Sequence, residues 1–490
     1  METKIERCEL APGFSISRIL TGLWQIGDME RDGRRLDPDA TAAAMSPYVE
    51  AGLTTFDMAD HYGSSEIIAG TYRQQTGADV QLLTKWVPQP GAQTRESVRA
   101  AVQLSLDRMQ TGHLDMLQFH AWNYADPGWL DCLFWLEELK EEGLIRHLGL
   151  TNVDAAHLSI ALNCGIDIVS NQVCYSLLDQ RGSGAMTDLC LKHGVKLLTF
   201  GTVAGGFLTE RWLGKSDPGL EGLKTWSQMK YWRFIREAGG WEVFQSLLQT
   251  LNRVAQRLDV SMANVACRYM LEQPAVGGII VGARLGESEH IRDNLRLFEF
   301  SLDEHSQSEI KEALANLKPI PGDCGDEYRK PPFLTAKGDL SDHLESIPPT
   351  YAVQEGQDGK SRISSGTIWE EIAGYCRAVR CGNQVWIAGT TAIHGDRTIG
   401  GNDHWAQTHF IIDKIEGALQ SFGGRLADVV RTRVYVQDLK KWEPVARAHG
   451  QRFGHIRPAN TLVQASLVSK DYLVEIEADA VIGEGGGDRS

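Results

Sequence analysis

Residues 54–63 read TTFDMADHYG, a short apolar run that passes into a polar loop holding Asp57, Asp60, His61 and Tyr62. A strand ending in such a loop is the unit on which an α/β barrel builds chemistry, because the loops at the C-terminal ends of its strands converge on one face. Asp57 and Tyr62 stand five positions apart, so one closes the strand while the other sits in the loop beyond it. Two later runs end in the same way, residues 80–85 (VQLLTK) in Lys85 and residues 114–120 (LDMLQFH) in His120. Working outward, the strand candidates are 19–24, 54–57, 81–85, 114–120, 145–151, 168–172, 196–200 and 276–281. Amphipathic stretches separate them; residues 94–109 put Val98, Val102, Leu106 and Met109 on one helical face, and residues 131–142 form a similar pattern. The alternation predicts parallel βα units, and eight of them at this length predict an α/β fold closed into a (β/α)8 TIM barrel. The opening ELAPGFSIS reads as a hairpin plugging the far end, and residues 303–317 as a capped final helix with Ile310, Leu314 and Leu317 on its apolar side.

An Asp and a Tyr at this spacing, then a Lys, then a His, at successive strand ends resembles the aldo-keto reductase family over about residues 5–318. The resemblance implies a nicotinamide-dependent oxidoreductase acting on a small carbonyl or alcohol, with Asp57, Tyr62, Lys85 and His120 as its catalytic residues. A carbonyl that accepts hydride becomes an alkoxide and needs a proton. A tyrosine hydroxyl can supply it, but its pKa in water is about 10. Lys85 is expected to lower that pKa, Asp57 to keep the buried lysine charged, and His120 to orient the carbonyl oxygen.

The same resemblance implies a cofactor site at the later strand ends. Thr151, Asn152 and Gln172 match the positions that hold the nicotinamide carboxamide, with Thr151 standing where the family has Ser. Phe200 matches the ring, usually Tyr, that stacks on the nicotinamide. In the stretch VGARLGESEHIRDNL, Gly282 permits close backbone approach, and Arg284 offers a fork for a 2′-phosphate. Ser288 is expected to cap a short helix there, and Asp293 and Asn294 match an adenine-contacting pair. The arginine implies NADPH rather than NADH. No GxGxxG follows the first strand, so this is not a Rossmann site. On the substrate side, Trp24, Trp86, Trp122 and Asn123 follow strand ends and are candidate pocket walls. Residues 210–241 read as a long loop rich in Trp and Tyr, either a lid or an insertion packed on the rim.

The pattern breaks at residues 319–366, where Pro331-Pro332, Pro348-Pro349 and QEGQDGKSRISSG read as an irregular connector, part of it packed on a domain surface. From residue 367 the order becomes ββαβαββ: a hairpin over 375–390 turning at Gly382-Asn383, a helix at 405–422, a strand at 429–436, a helix at 442–453, and strands at 461–464 and 472–482. This predicts an α+β domain with helices on one sheet face. The SFGGRLADVVRTRVYVQDL stretch, the Arg457-Pro458-Ala459 entry to a strand and the closing VEIEADAV resemble the RidA (YjgF/UK114) family, with its chorismate-mutase-like fold and trimeric assembly. In that family an arginine follows Pro-Ala and holds a substrate carboxylate; here Asn460 stands in its place, so the resemblance does not extend to deaminase activity. Glu477 and Tyr375 match an acidic and an aromatic pocket position. Arg431, Arg433 and Gln464 alternate on strands and face either an intersubunit cleft or water. The tail GEGGGDRS reads as disordered.

The domains expected are thus 1–318, 319–366 and 367–490. A chain of 490 residues with 42% hydrophobic and 23% charged residues fits two globular units. The net charge is −15, and nearly all of it lies before residue 367. That argues against nucleic acid and anionic membrane partners. Nine cysteines without CxxC or zinc spacing read as reduced thiols of a cytoplasmic protein, and no metal is expected. No apolar run is long enough to span a bilayer. Two readings besides a reductase stay open: a non-catalytic subunit that senses a bound dinucleotide and assembles through the second domain, and a bifunctional protein whose second domain handles an imine or enamine.

Overall fold

The computed structural model describes residues 5–483, so residues 484–490 of the tail lie outside the described residues. A hairpin comes first, β1 (Arg7–Ala11) and β2 (Phe14–Ser17). The barrel strands follow: β3 (Ile19–Gly22), β4 (Thr55–Asp57), β5 (Gln81–Trp86), β6 (Leu114–Phe119), β7 (Ile145–Thr151), β8 (Ile168–Cys174), β9 (Lys196–Phe200) and β10 (Val276–Gly282). All pair in parallel, and β10 pairs with β3 to close the ring. Leu20, Leu83, Met116 and Leu198 fill the lower barrel and pack on Leu10 and Ile16 of the hairpin, which is therefore the expected plug. Side-chain hydroxyls and carboxylates start the outer helices at their N-caps: Thr94 for Arg95–Met109, Asp154 for Ala155–Asn163, Ser261 for Met262–Leu271 and Asp303 for Glu304–Leu314.

Residues 210–241 are not the long loop expected. Thr225 caps the helix Trp226–Glu237, which buries Lys230, Tyr231, Phe234 and Ile235 on one face, and a second helix starts at Trp241. The aromatic residues there follow helical spacing, and Trp212, Tyr231 and Trp232 are core.

The connector also divides differently from expectation. Asp326–Arg329 is one helical turn and Lys337–Asp339 and Ser341–Ser346 are 3-10 turns, all on the face formed by the C-terminal ends of the barrel strands. Two strands then form, β11 (Val353–Glu355) and β12 (Lys360–Ile363), and β12 pairs with β13 (Ala378–Cys381). The second domain continues with β14 (Gln384–Thr391), the short pair β15 (Ile393–His394) and β16 (Arg397–Thr398), then β17 (Val429–Val436), β18 (Ala459–Gln464) and β19 (Val474–Val481). Its sheet has seven strands, in the order β11-β12-β13-β14-β19-β17-β18, with the helices His404–Ser421 and Trp442–Phe453 on one face.

The two domains pack directly on each other. His404–Ser421 lies between its own sheet and the barrel helix Ala155–Asn163, which explains why it is buried nearly all round, polar His409, Asp413 and Lys414 included. Gly417 and Gly401 make the approach possible: a Cβ on either would fall 2.4 Å from the Ala125 carbonyl oxygen or 2.7 Å from that of Asn163. His157 Nε2 reaches Asp413 Oδ2 at 3.0 Å, His394 Nε2 reaches Asp131 at 2.9 Å, and the Arg397 guanidinium lies 4.1 Å from the Phe134 ring centre. Among the described residues no helix is long and apolar enough to cross a membrane.

Candidate active site

β4 is only three residues long and wholly buried, so its last residue, Asp57, points into the barrel at the top of the strand. Lys85 ends the inward-facing series of the neighbouring strand. Its Nζ donates to Asp57 Oδ2 at 2.6 Å and to the Met58 carbonyl at 2.9 Å. Asp57 Oδ1 accepts from the Gln118 and Gln172 amides at 3.1 and 2.7 Å, so both oxygens of this buried carboxylate face donors. Burial pulls the Lys85 ammonium below its usual range; Asp57 works in the opposite direction.

Tyr62 lies in the loop above. Lys85 Nζ stands 4.9 Å from its ring centre, a position over the ring rather than at the hydroxyl. Burial first, then the charges of Asp57, Tyr328 and Asp339, push the Tyr62 hydroxyl well above the ordinary phenol range, while Lys230 pulls the other way. The expected lowering of this pKa by Lys85 is therefore not a property of this state; Asp57 is close enough to cancel its partner's charge. His120 is buried, and burial, then Arg329 and His61, hold its imidazole neutral. Its Nδ1 lies 3.4 Å from the Asn152 amide nitrogen, and its Nε2 has no hydrogen-bond partner among the described residues.

These four side chains share one cavity with Thr151, Asn152, Gln172, Phe200, Gly282, Trp24 and Trp122. Asn152 Oδ1 is buried and unpartnered there, as is Gln25 Oε1. A Cβ on Gly282 would sit 2.5 Å from Gln25 Nε2, so a side chain there would displace the Gln25 amide. Thr151 Oγ1 donates to the Gln172 carbonyl at 3.3 Å.

Six expected residues lie outside the cavity wall. Trp86 follows Lys85 on the strand, so pleating turns it outward, where it packs on Phe119 with ring centres 5.4 Å apart. Asn123 Oδ1 accepts from the Ala125 amide at 3.0 Å and shapes the loop. Arg284 sits at the outer rim, its Nη1 on Asp28 at 3.0 Å and its Nε on Glu287 at 2.9 Å. Ser288 caps nothing: the helix Ile291–Leu295 begins after His290 without a side-chain cap, and Ser288 belongs to the preceding turn. Asp293 accepts from Asn264 at 2.9 Å and Ser261 at 3.2 Å, tying down the start of the helix Met262–Leu271. Asn294 donates its backbone N–H to the His290 carbonyl at 2.8 Å, inside the same short helix.

Other residues complete the wall. Lys230, from the helix Trp226–Glu237, donates to Tyr328 Oη at 2.7 Å, pairs with Asp339 at 3.1 Å, and stands 5.1 Å from the Phe200 ring centre. Burial opposes its charge, but Asp339, Tyr231, Cys174 and Glu327 raise its pKa above the usual lysine range. Tyr328 and Asp339 come from the connector, where irregular sequence gives no period to read.

In the second domain Asn460 donates to Thr432 Oγ1 at 2.9 Å, and Thr432 contacts His449 Nε2 at 2.9 Å, so this amide is tied toward the helical side. Glu477 accepts from Tyr435 at 3.1 Å and Arg433 at 3.3 Å, and Arg433 also holds Asp479. Gln464 donates to the Gln437 carbonyl at 3.1 Å, while Arg431 is exposed. Glu475 lies beside Gly389, and burial raises its pKa. Among the described residues no group of three or more His, Cys, Asp or Glu could hold a metal ion.

The chain belongs to the aldo/keto reductase family, whose model matches residues 18–315; residues 367–482 match the model described as Endoribonuclease L-PSP. The oxidoreductase YqkF of Bacillus subtilis is 29% identical over 262 residues, 51% of this chain and 78% of the relative. A protein of Streptomyces coelicolor is 37% identical over 123 residues, 25% of this chain and 92% of its own length. An aldo-keto reductase structure from Bacillus halodurans, at 23% identity and a TM-score of 0.50, covers 65% of this chain and 98% of its own and shows the shared fold.

Proposed function

We propose that the barrel is an NADPH-dependent reductase of small aldehydes or ketones, or oxidises the corresponding alcohols, with Asp57, Tyr62, Lys85 and His120 as its catalytic residues. The observation that carries this reading is the unpartnered His120 Nε2, buried in the same cavity as Tyr62 and the Lys85–Asp57 pair. A neutral imidazole with a free N–H is what a developing alkoxide needs beside it. Tyr62, held protonated by its surroundings, is the general acid. Lys85 and Asp57 fix the loop and the local field.

The residues fit a nicotinamide. Asn152 Oδ1 and Gln172 offer acceptors to a carboxamide, Phe200 offers a ring face, and the Gly282 cradle admits close approach. Such a cofactor would supply the hydride. Arg284 is the proposed 2′-phosphate contact; two of its nitrogens are held by Asp28 and Glu287, which fixes the fork's orientation. Trp24 and Trp122 would wall the substrate. We assign the second domain to trimeric assembly, supported by its open sheet face with exposed Trp386 and half-buried Tyr435 alongside paired charges. All nine cysteines are free thiols, which supports a cytoplasmic location. A panel of aldehydes, ketones and alcohols read by nicotinamide absorbance tests the activity; no turnover of either cofactor by any member would reject it.

A further inference from the structure

Three consecutive connector residues, 327–329, lie outside the matched family segment and yet hold the loops that follow four barrel strands. Glu327 pairs with Arg181, beyond β8, at 2.8 Å. Tyr328 Oη accepts from Lys230, beyond β9. Arg329 reaches the other two. Its Nε and Nη2 donate to the Ala121 carbonyl at 2.8 and 2.5 Å, next to His120, and its Nη1 donates to the Asn152 carbonyl at 2.7 Å. Asn152 itself sits in the left-handed region with φ 58°, a conformation that asparagine tolerates better than most residues. Gly325 lets the turn come this close: a Cβ there would fall 1.9 Å from the Asn152 carbonyl oxygen.

Arg329 is itself held from the other side. Its guanidinium carbon stands 4.5 Å from the Tyr124 ring centre, and Tyr124 stacks on His157 at 3.4 Å and 10°. His157 lies between Asp154, at 2.7 Å, and Asp413 of the second domain, at 3.0 Å; Asp413 also holds Arg452. A continuous set of packed, charged and hydrogen-bonded groups thus runs from the second domain to His120 and Asn152, whose Nε2 and Oδ1 face the cavity unpartnered.

We propose that Arg329 is a positioning residue for Asn152 and the His120 loop, and that the second domain sets its placement through Asp413, His157 and Tyr124. The inference rests on the proposed dinucleotide site. Spatial continuity alone does not show coupling, so the test is a double-mutant cycle on the full chain. NADPH affinity of the wild type, Arg329→Ala, Asp413→Asn and the double variant is read by quenching of tryptophan fluorescence, with circular dichroism as the check on folding. Loss of a charged donor to two carbonyls predicts about a tenfold or greater weakening for Arg329→Ala. Added guanidinium ion should restore part of it, and Arg329→Lys should fall between. Asp413→Asn should weaken binding less, and the double variant should bind no worse than Arg329→Ala. If Arg329→Ala does not fold, Arg329→Lys and His157→Gln complete the same cycle. Unchanged affinity in the Arg329 variants overturns the positioning role, and additive losses overturn the link to the second domain. A wild type that binds neither NADPH nor NADH overturns the proposed function and this inference together.

Discussion

Asp57→Asn is nearly isosteric and should still be severe. Three donors converge on Asp57: Lys85 Nζ on one oxygen, and the Gln118 and Gln172 amides on the other. An asparagine has one acceptor and one donor end. If its nitrogen faces Lys85, an ammonium meets an N–H; if it faces the glutamines, two amide donors meet a third. Neither rotamer satisfies the site, and Lys85, already depressed by burial, loses the carboxylate that opposes that depression. Breaking a buried pair by removing one partner costs about 3–5 kcal/mol. For a domain of this size that lowers the melting temperature by on the order of 10 °C. Because the variant removes the charge that opposes the burial of Lys85 and lowers its pKa further, turnover should fall by about a hundredfold or more even where the protein is folded. Calorimetry and steady-state rates with NADPH read the two effects separately. A melting temperature within a degree or two of wild type, with rates preserved, would refute the claim that Asp57 is the hub of the site.

Other expectations follow from single contacts. Arg284→Ala should weaken NADPH binding by about tenfold and leave NADH binding nearly unchanged, in titrations with both; equal effects would remove its role in reading the 2′-phosphate. Burial alone would lower the His157 pKa, but Asp154 and Asp413 outweigh it and raise it to about 9. Its contribution is therefore fully present below about pH 6.5 and lost as pH rises through about 9. Thermal melts or connector proteolysis should show the domain interface loosening across that window in wild type and less so in His157→Gln; identical profiles would reject the assignment. The full chain should sediment as a trimer, and a monomer at micromolar concentration would leave the second domain without its assembly role.

The barrel was legible because its strands are short apolar runs whose polar residues fall at their ends, as with Asp57 and Lys85. Each of the eight strand candidates corresponds to an observed strand, with boundaries differing by a residue or two. The same pleat explains the miss at Trp86: adjacency to Lys85 in sequence means opposition across the sheet. Ser288 and Asn123 look like site residues by position, yet neither forms the cavity wall, one lying in a turn and the other shaping a loop, features that depend on local backbone geometry. Lys230 was hidden because its helix carries so many aromatic residues that it read as a loop rich in them. Tyr328, Arg329 and Asp339 were hidden because their placement depends on partners 98 residues or more away, not on local period.

The central claim is that Tyr62 delivers the proton in a hydride transfer that the barrel carries out. Single-turnover reduction of an accepted aldehyde by NADPH-saturated wild type and Tyr62→Phe tests it most directly, with cofactor affinity measured alongside. The account predicts a rate lower by about 10²–10⁴ in the variant and an NADPH affinity within about twofold of wild type. A variant that reduces the aldehyde at the wild-type rate would contradict it.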